Sequence, residues 1–180
     1  AGTDAPAALI GQRVTAITRF GGYAELAVTD HRACATIPDA LPLGEAAALA
    51  TQGATAWYAT RMLCPLRRGE RVLVHSAAGG VGQLIVQLAM DAGCEVIGIA
   101  SGAAKCEQVR GMGAAHAIDR GAGDYVALVR AALQGAPLDA SFNAVGGSSF
   151  KKDLRLLGTG GRLVLHRGAG RGRSSTLALL

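Results

Sequence analysis

The sequence predicts an α/β fold, a doubly wound parallel sheet with helices on both faces. Three observations predict it. From Arg71 onward, short apolar runs alternate with helical patterns. The connections between them are short and contain glycine. The apolar runs are nearly continuous, as strands buried on both faces require.

The elements follow in order. Residues 1–42 read as β and turn. Arg13 to Ile17 alternates weakly, Gly21-Gly22 signals a turn, and Tyr23-Ala24-Glu25-Leu26-Ala27-Val28 alternates more clearly. Residues 43–70 form a connecting helical segment, with helical patterns over 46–50 and 55–62 broken at Gly53. Pro65 and Gly69-Glu70 mark a loop. Strands are then expected at 71–75, 95–100, 115–118, 139–145 and 162–166. Helices are expected between them at 81–92, 105–112, 124–133 and 149–157. The tail, 168–180, reads as a loop leading into an incomplete element.

Composition bounds the function classes. The 180 residues suffice for one domain with a sizeable core, or one domain and part of another. Half the residues are hydrophobic and 17% are charged, a globular balance. Aromatics make up only 4%, so Ala, Val, Leu and Ile must build the core. The net charge of +5 suits an anionic ligand. Nucleic acid is not expected, because the basic residues are scattered with few aromatics among them. Cys34, Cys64, Cys94 and Cys106 form no CxxC pair, so a zinc knuckle is not expected. A reducing, cytoplasmic setting fits them. No signal peptide is visible at Ala1, and no apolar run is long enough to span a bilayer.

The strongest motif joins an apolar strand, Val72-Leu73-Val74-His75, to a helix beginning near Gln83. The turn between them reads Ser76-Ala77-Ala78-Gly79-Gly80-Val81-Gly82, a variant of G-x-G-x-x-G with Ala77 in the first place. Ala77 keeps the strand exit tight. Gly79 lets the backbone approach a pyrophosphate. Gly82 lets the helix pack closely on the strand. Gly80 and Val81 count among the cofactor-binding residues of the turn, and the helix start offers unpaired N–H groups and its positive end to phosphate. This marks a Rossmann-type dinucleotide site.

The second strand ends Ile97-Gly98-Ile99-Ala100-Ser101, with no carboxylate to bind a ribose 2′-hydroxyl. An acid there would repel a 2′-phosphate, so its absence permits NADP, and NADPH is the cofactor expected. Ser101 can donate to its 2′-phosphate and Lys105 can supply charge one turn on. Arg120, after the third strand, is a further candidate for the adenosine end.

These residues carry a family likeness. The chain resembles the medium-chain dehydrogenase/reductase superfamily, in its zinc-independent quinone-reductase branch, and is most similar there to the vesicle amine transport protein 1-like oxidoreductases. The matching stretches include Arg19-Phe20-Gly21-Gly22-Tyr23-Ala24-Glu25, Glu45-Ala46-Ala47-Ala48-Leu49 and Thr55-Ala56-Trp57. They continue through the glycine turn to Ile118-Asp119, Val145-Gly146-Gly147-Ser148 and Gly160-Gly161-Arg162-Leu163-Val164.

The resemblance implies that 1–42 is the end of a truncated GroES-like β domain. It also implies that 71–180 is an NADP-binding Rossmann domain, C-terminally incomplete. It places Thr55 near the nicotinamide and the strand end Asn143, Val145 and Gly146 beside the nicotinamide ribose. Thr51 falls where zinc-dependent relatives carry a metal-binding Cys, so no catalytic metal is expected. Three departures stand out: Gln52-Gly53, Arg120 in place of an aromatic, and His166-Arg167 near the cofactor.

The activity implied is hydride transfer from NADPH to a small-molecule quinone or α,β-unsaturated carbonyl. One alternative is the enoyl-reductase segment of a polyketide or fatty-acid synthase. Another is a non-catalytic NADPH-binding or interaction protein. A homodimer of the full-length protein is one assembly the resemblance permits. His75 reads as a structural histidine rather than an acid, and no proton donor is assigned.

Overall fold

The computed structural model describes residues 2 and 4–166, together with the backbone of 178–179. The chain divides into two compact units, residues 1–54 and 55–180.

In the first unit, β1 (Val14–Ala16) pairs antiparallel with β2 (Cys34–Thr36), Val14 lying opposite Thr36. The Arg13 guanidinium ties down the chain after β2, donating to the carbonyls of Pro38, Asp39 and Leu41 at 2.8, 2.6 and 2.7 Å. Helix α1 (Leu43–Ala48) runs into a π-helical turn, Leu49–Gly53. Thr15 Oγ1 donates to the Ala46 carbonyl at 3.0 Å and fastens β1 to α1.

The strand expected over 23–28 does not form. Its alternation is real, but Tyr23, Leu26 and Val28 are exposed, so no face of it is buried. Strand β1 takes β2 instead, and the ladder continues with Ile17 N–H donating to Ala33 O. Alternation specifies a strand only where a partner and a core are present.

Helix α2 (Ala54–Trp57), which belongs to the second unit from Thr55 on, leads into a π-helical turn, Tyr58–Leu63. The wide turn shows in Cys64 N–H donating to Ala59 O. A sheet follows, built from β3 (Arg71–Val74), β4 (Glu95–Ala100), β5 (His116–Asp119), β6 (Leu138–Asn143), β7 (Leu157–Leu165) and β8 (Ala178–Leu179). Its order is β5-β4-β3-β6-β7-β8. The first five strands are parallel and β8 is antiparallel to β7. Helices α3 (Gly80–Asp91), α4 (Ala103–Gly111), α5 (Tyr125–Ala132) and α6 (Ser148–Leu154) make the connections. The α/β, Rossmann-type reading holds.

Side-chain alternation divides the core. Val72, Val74 and Val96 pack with Ile85 and Val86 of α3 and Val109 of α4. Leu73, Ile97 and Ile99 pack on the opposite face with Val126 and Val129 of α5. Such fully buried side chains each contribute about 1.5–3 kcal/mol. Strand β6 swaps faces: Leu138 lies in the α5 cluster and Ala140 in the α3 cluster, across a register irregularity between them.

Two boundaries differ from the sequence expectation. Strand β6 stops at Asn143, where the chain turns through Gly146 and Gly147, both at positive φ. Strand β7 begins at Leu157, earlier than 162, because Leu157 pairs with Leu138 before the irregularity. Of the tail expected to be a loop and an incomplete element, only Ala178 and Leu179 are described, and they form β8.

Candidate cofactor site

Strands β3 and β6 are neighbours, and the crossovers leave them in opposite directions along the sheet. That reversal opens a crevice beyond the carboxyl ends of the strands, where α/β sheets bind ligands. A cleft of about 240 Å³ lies there. It is lined by His75, Ser76, Ala78 and Gly79 after β3, Ile99 and Ala100 at the end of β4, Ser101 just beyond it, Lys105 in the first turn of α4, Arg120 after β5, and Val145 after β6.

The glycine turn is tight for a visible reason. Ser76 sits at φ +50°, a left-handed conformation uncommon for a residue with a side chain, and its carbonyl accepts from Gly79 N–H at 2.8 Å. A Cβ on Gly82 would lie 2.1 Å from that same carbonyl oxygen. Only glycine lets α3 start against β3 at this distance. Gly79 precedes the helix, and no side chain caps it. The first-turn amides, Gly80 to Gly82, therefore have no carbonyl of their own helix to bind. They stand at the positive end of a 12-residue helix, at a mouth where Ser76 and Gly79 are exposed.

Asp119 shapes the other rim. Its Oδ1 accepts from Gly102 N–H at 3.0 Å and from Gly121 N–H at 2.9 Å. These two amides hold its carboxyl below the usual range. One carboxylate thus fixes the loop that carries Ser101 and the turn that carries Arg120.

The structure brings Gly79, Ser101, Lys105, Arg120 and Val145 together on the cleft. Ala77, Gly82 and Asn143 are buried behind it, and Gly80, Val81 and Gly146 are half-buried in the turns beside it. Thr55 is half-buried at the start of the second unit and does not line the cleft. Sequence reasoning did not name Ser76, Ala78, Ile99 and Ala100 as lining residues. The first two could have been read from the motif, since the turn's own backbone must face what it cradles.

His75 is both structural and adjacent to the site. It is 3% exposed, lines the cleft, and places Nε2 3.0 Å from Asp153 Oδ1. Asp153, on α6, is wholly buried. Burial opposes its ionisation, but bonds from His75, Tyr125 and Asn143 outweigh that and hold the carboxyl below the usual range. No sequence signal marked it, because an aspartate on a short helix reads as a surface residue.

His166 directly follows β7 and is buried, with its N–H donating to Asn143 O at 3.0 Å. It does not line the cleft, and Arg167 lies outside the described residues. Burial, aided by His75 nearby, pushes the His166 imidazole down to about 4 from 6.5. The unfolded chain therefore takes a proton that the folded chain refuses. This contribution to stability is complete above pH 6.5 and is lost as pH falls towards 4. It amounts to about 3 kcal/mol at most. His166→Gln should flatten urea-measured stability across that window; an unchanged slope would contradict the assignment.

Among the described residues, no group of three or more His, Cys, Asp or Glu is arranged to hold a metal ion, and no helix is long and apolar enough to cross a membrane.

Comparisons with known proteins place this geometry. The sequence profile of the zinc-binding dehydrogenase family matches residues 80–175. A mycocerosic acid synthase-like polyketide synthase of Mycobacterium tuberculosis is 33% identical over 155 residues, covering 86% of this chain and 7% of that protein. A solved probable oxidoreductase from Mycobacterium abscessus aligns with a TM-score of 0.78 at 34% identity, covering 85% of this chain and 48% of that one. The CurK enoyl reductase aligns with a TM-score of 0.72 at 32% identity, covering 81% and 43% respectively. The chain thus spans less than half of these solved relatives and a small fraction of the synthase.

Proposed function

Because the chain belongs to the zinc-binding dehydrogenase family of the medium-chain dehydrogenase/reductase superfamily, we propose that it holds NADPH for reduction of the carbon–carbon double bond of an enoyl thioester. Membership makes it an oxidoreductase domain. The single observation that carries the cofactor reading is the uncapped start of α3, pressed against Ser76 so closely that Gly82 tolerates no Cβ. A cradle of bare amides suits a diphosphate. Ser101, Lys105 and Arg120 on one cleft suit the further charge of a 2′-phosphate.

When bound, NADPH supplies the hydride. The chain's residues hold and orient it. The amides of Gly80, Val81 and Gly82 bind the diphosphate. Lys105 and Arg120 fix the adenosine end, and Ser101 donates to its phosphate. Val145 and Gly146 form the wall on the nicotinamide side; Thr55, which the family resemblance puts near the nicotinamide, lies off this cleft. With Thr51 in place of a metal-binding Cys, the reading invokes no catalytic metal.

The acceptor first expected, a quinone or enone, is reduced by the same hydride. The synthase relative and the enoyl reductase structure support the thioester ahead of the quinone. The test measures NADPH binding by fluorescence, then NADPH oxidation with a short-chain enoyl thioester or with 1,4-benzoquinone. Turnover of the thioester in preference to the quinone is expected. Turnover of the quinone alone would restore the first reading. Tight binding with neither turnover would favour a non-catalytic domain.

A further inference from the structure

Asp153 sits where its chemistry exceeds what packing needs. Two oxygens of one buried carboxylate meet four donor groups from three elements. Oδ1 faces His75 Nε2 at 3.0 Å and accepts from Tyr125 Oη at 2.8 Å. Oδ2 accepts from Ser141 Oγ at 2.9 Å and from Asn143 Nδ2 at 2.6 Å. His75, Ser141 and Asn143 are themselves buried. Two of the four mark the ends of the strands that flank the crevice, His75 directly after β3 and Asn143 as the last residue of β6.

The consequence runs through Asn143. A side-chain amide has one donor end and one acceptor end, and its neighbours decide which way it faces. A carboxylate only accepts, so Asp153 draws the amino end of Asn143 towards itself at 2.6 Å; Ser149 Oγ also accepts from that end at 2.9 Å, but a hydroxyl can serve either end. The carbonyl end is then turned outwards. There Asn143 Oδ1 accepts from Val145 N–H and Gly146 N–H, each at 2.8 Å. If the amide were reversed, its amino group would face those two donors and the loop would lose both bonds. Val145 lines the cleft.

We infer that Asp153 is a positioning residue: it fixes the orientation of Asn143 and through it sets the Val145–Gly146 wall of the cofactor cleft. Its effect on the cofactor rests on the NADPH reading; its effect on the loop does not. Tyr125 supplies a control. It donates to the same carboxylate from α5, but it does not line the cleft.

The experiment uses the whole chain and two measurements on each variant: hydrogen exchange of the Val145 and Gly146 amides without nucleotide, and the NADPH dissociation constant. Asp153→Ala removes the closer of the two acceptors of Asn143 Nδ2 and leaves Ser149 Oγ, a hydroxyl that lies near both ends of the amide and so does not fix which way it faces. The substitution should speed exchange at both amides and weaken NADPH about tenfold or more. Asp153→Asn keeps one acceptor for Asn143 Nδ2, and it should restore slow exchange and hold affinity within about threefold of the parent. Tyr125→Phe should lower Tm while leaving both readouts near the parent value. If Asp153→Ala does not fold, Asp153→Ser replaces it; its hydroxyl is too short to serve Asn143 in the same way, and the same changes are expected.

Unchanged exchange at Val145 and Gly146 in the alanine or serine variant would overturn the inference. So would equal effects of Tyr125→Phe and Asp153→Ala on those amides. Altered exchange in a chain that binds no NADPH would leave the positioning role standing and sink the cofactor reading instead.

Discussion

Gly82→Ala should cost about 3 kcal/mol of stability and abolish nucleotide binding. The added methyl would meet the Ser76 carbonyl oxygen at 2.1 Å, the Ser76 carbonyl carbon at 2.8 Å and Ala77 Cα at 3.0 Å. All three are backbone atoms, so no side-chain rotation relieves the clash. The helix must withdraw from the strand, and the amides of its first turn withdraw with it. In a chain of this size the stability loss corresponds to a fall in Tm of about 6–12 °C. Gly111→Ala is the matched control. A Cβ there meets nothing within 4 Å, so Tm and binding should stay close to the parent. A Gly82→Ala protein with parental Tm and affinity would contradict the close approach.

The second large effect is on cofactor choice. Lys105→Ala should raise the NADPH dissociation constant about tenfold and leave NADH within about twofold. Lys105, in the first turn of α4, and Arg120, just after β5, line the cleft with Ser101 at the end of β4. The carboxylate in that region, Asp119, is engaged by two main-chain amides. The two nucleotides differ only in the 2′-phosphate, so a lysine that binds this group affects one and not the other. The gap should narrow as salt rises, because the lysine is exposed. Equal weakening of both nucleotides would remove Lys105 from this role.

The fold of the second unit was legible because its signals are local and mutually consistent. Each strand is a short apolar run, each turn holds glycine, and burial on both faces removes the alternation that would suggest an open sheet. The glycine turn was legible for the same reason, since strand, turn and helix adjoin in sequence. What was not legible depends on partners distant in sequence. Residues 23–28 carry a strand's alternation, yet β1 takes its hydrogen bonds from residues 34–36. The early start of β7 follows from a pairing of Leu157 with Leu138 that no local pattern marks. Nothing local in the sequence sets Asp153 apart, and only the fold brings it to His75, just after β3, and to Asn143 of β6.

The central claim is that the bare amides at the start of α3 receive a cofactor diphosphate. Amide chemical shifts followed during NADPH titration test it most directly. Gly80, Val81 and Gly82 should show large, saturable changes, while Gln83, whose N–H already donates to Gly79 O at 2.8 Å, should move less. Saturable binding that leaves those three amides unmoved would contradict the account.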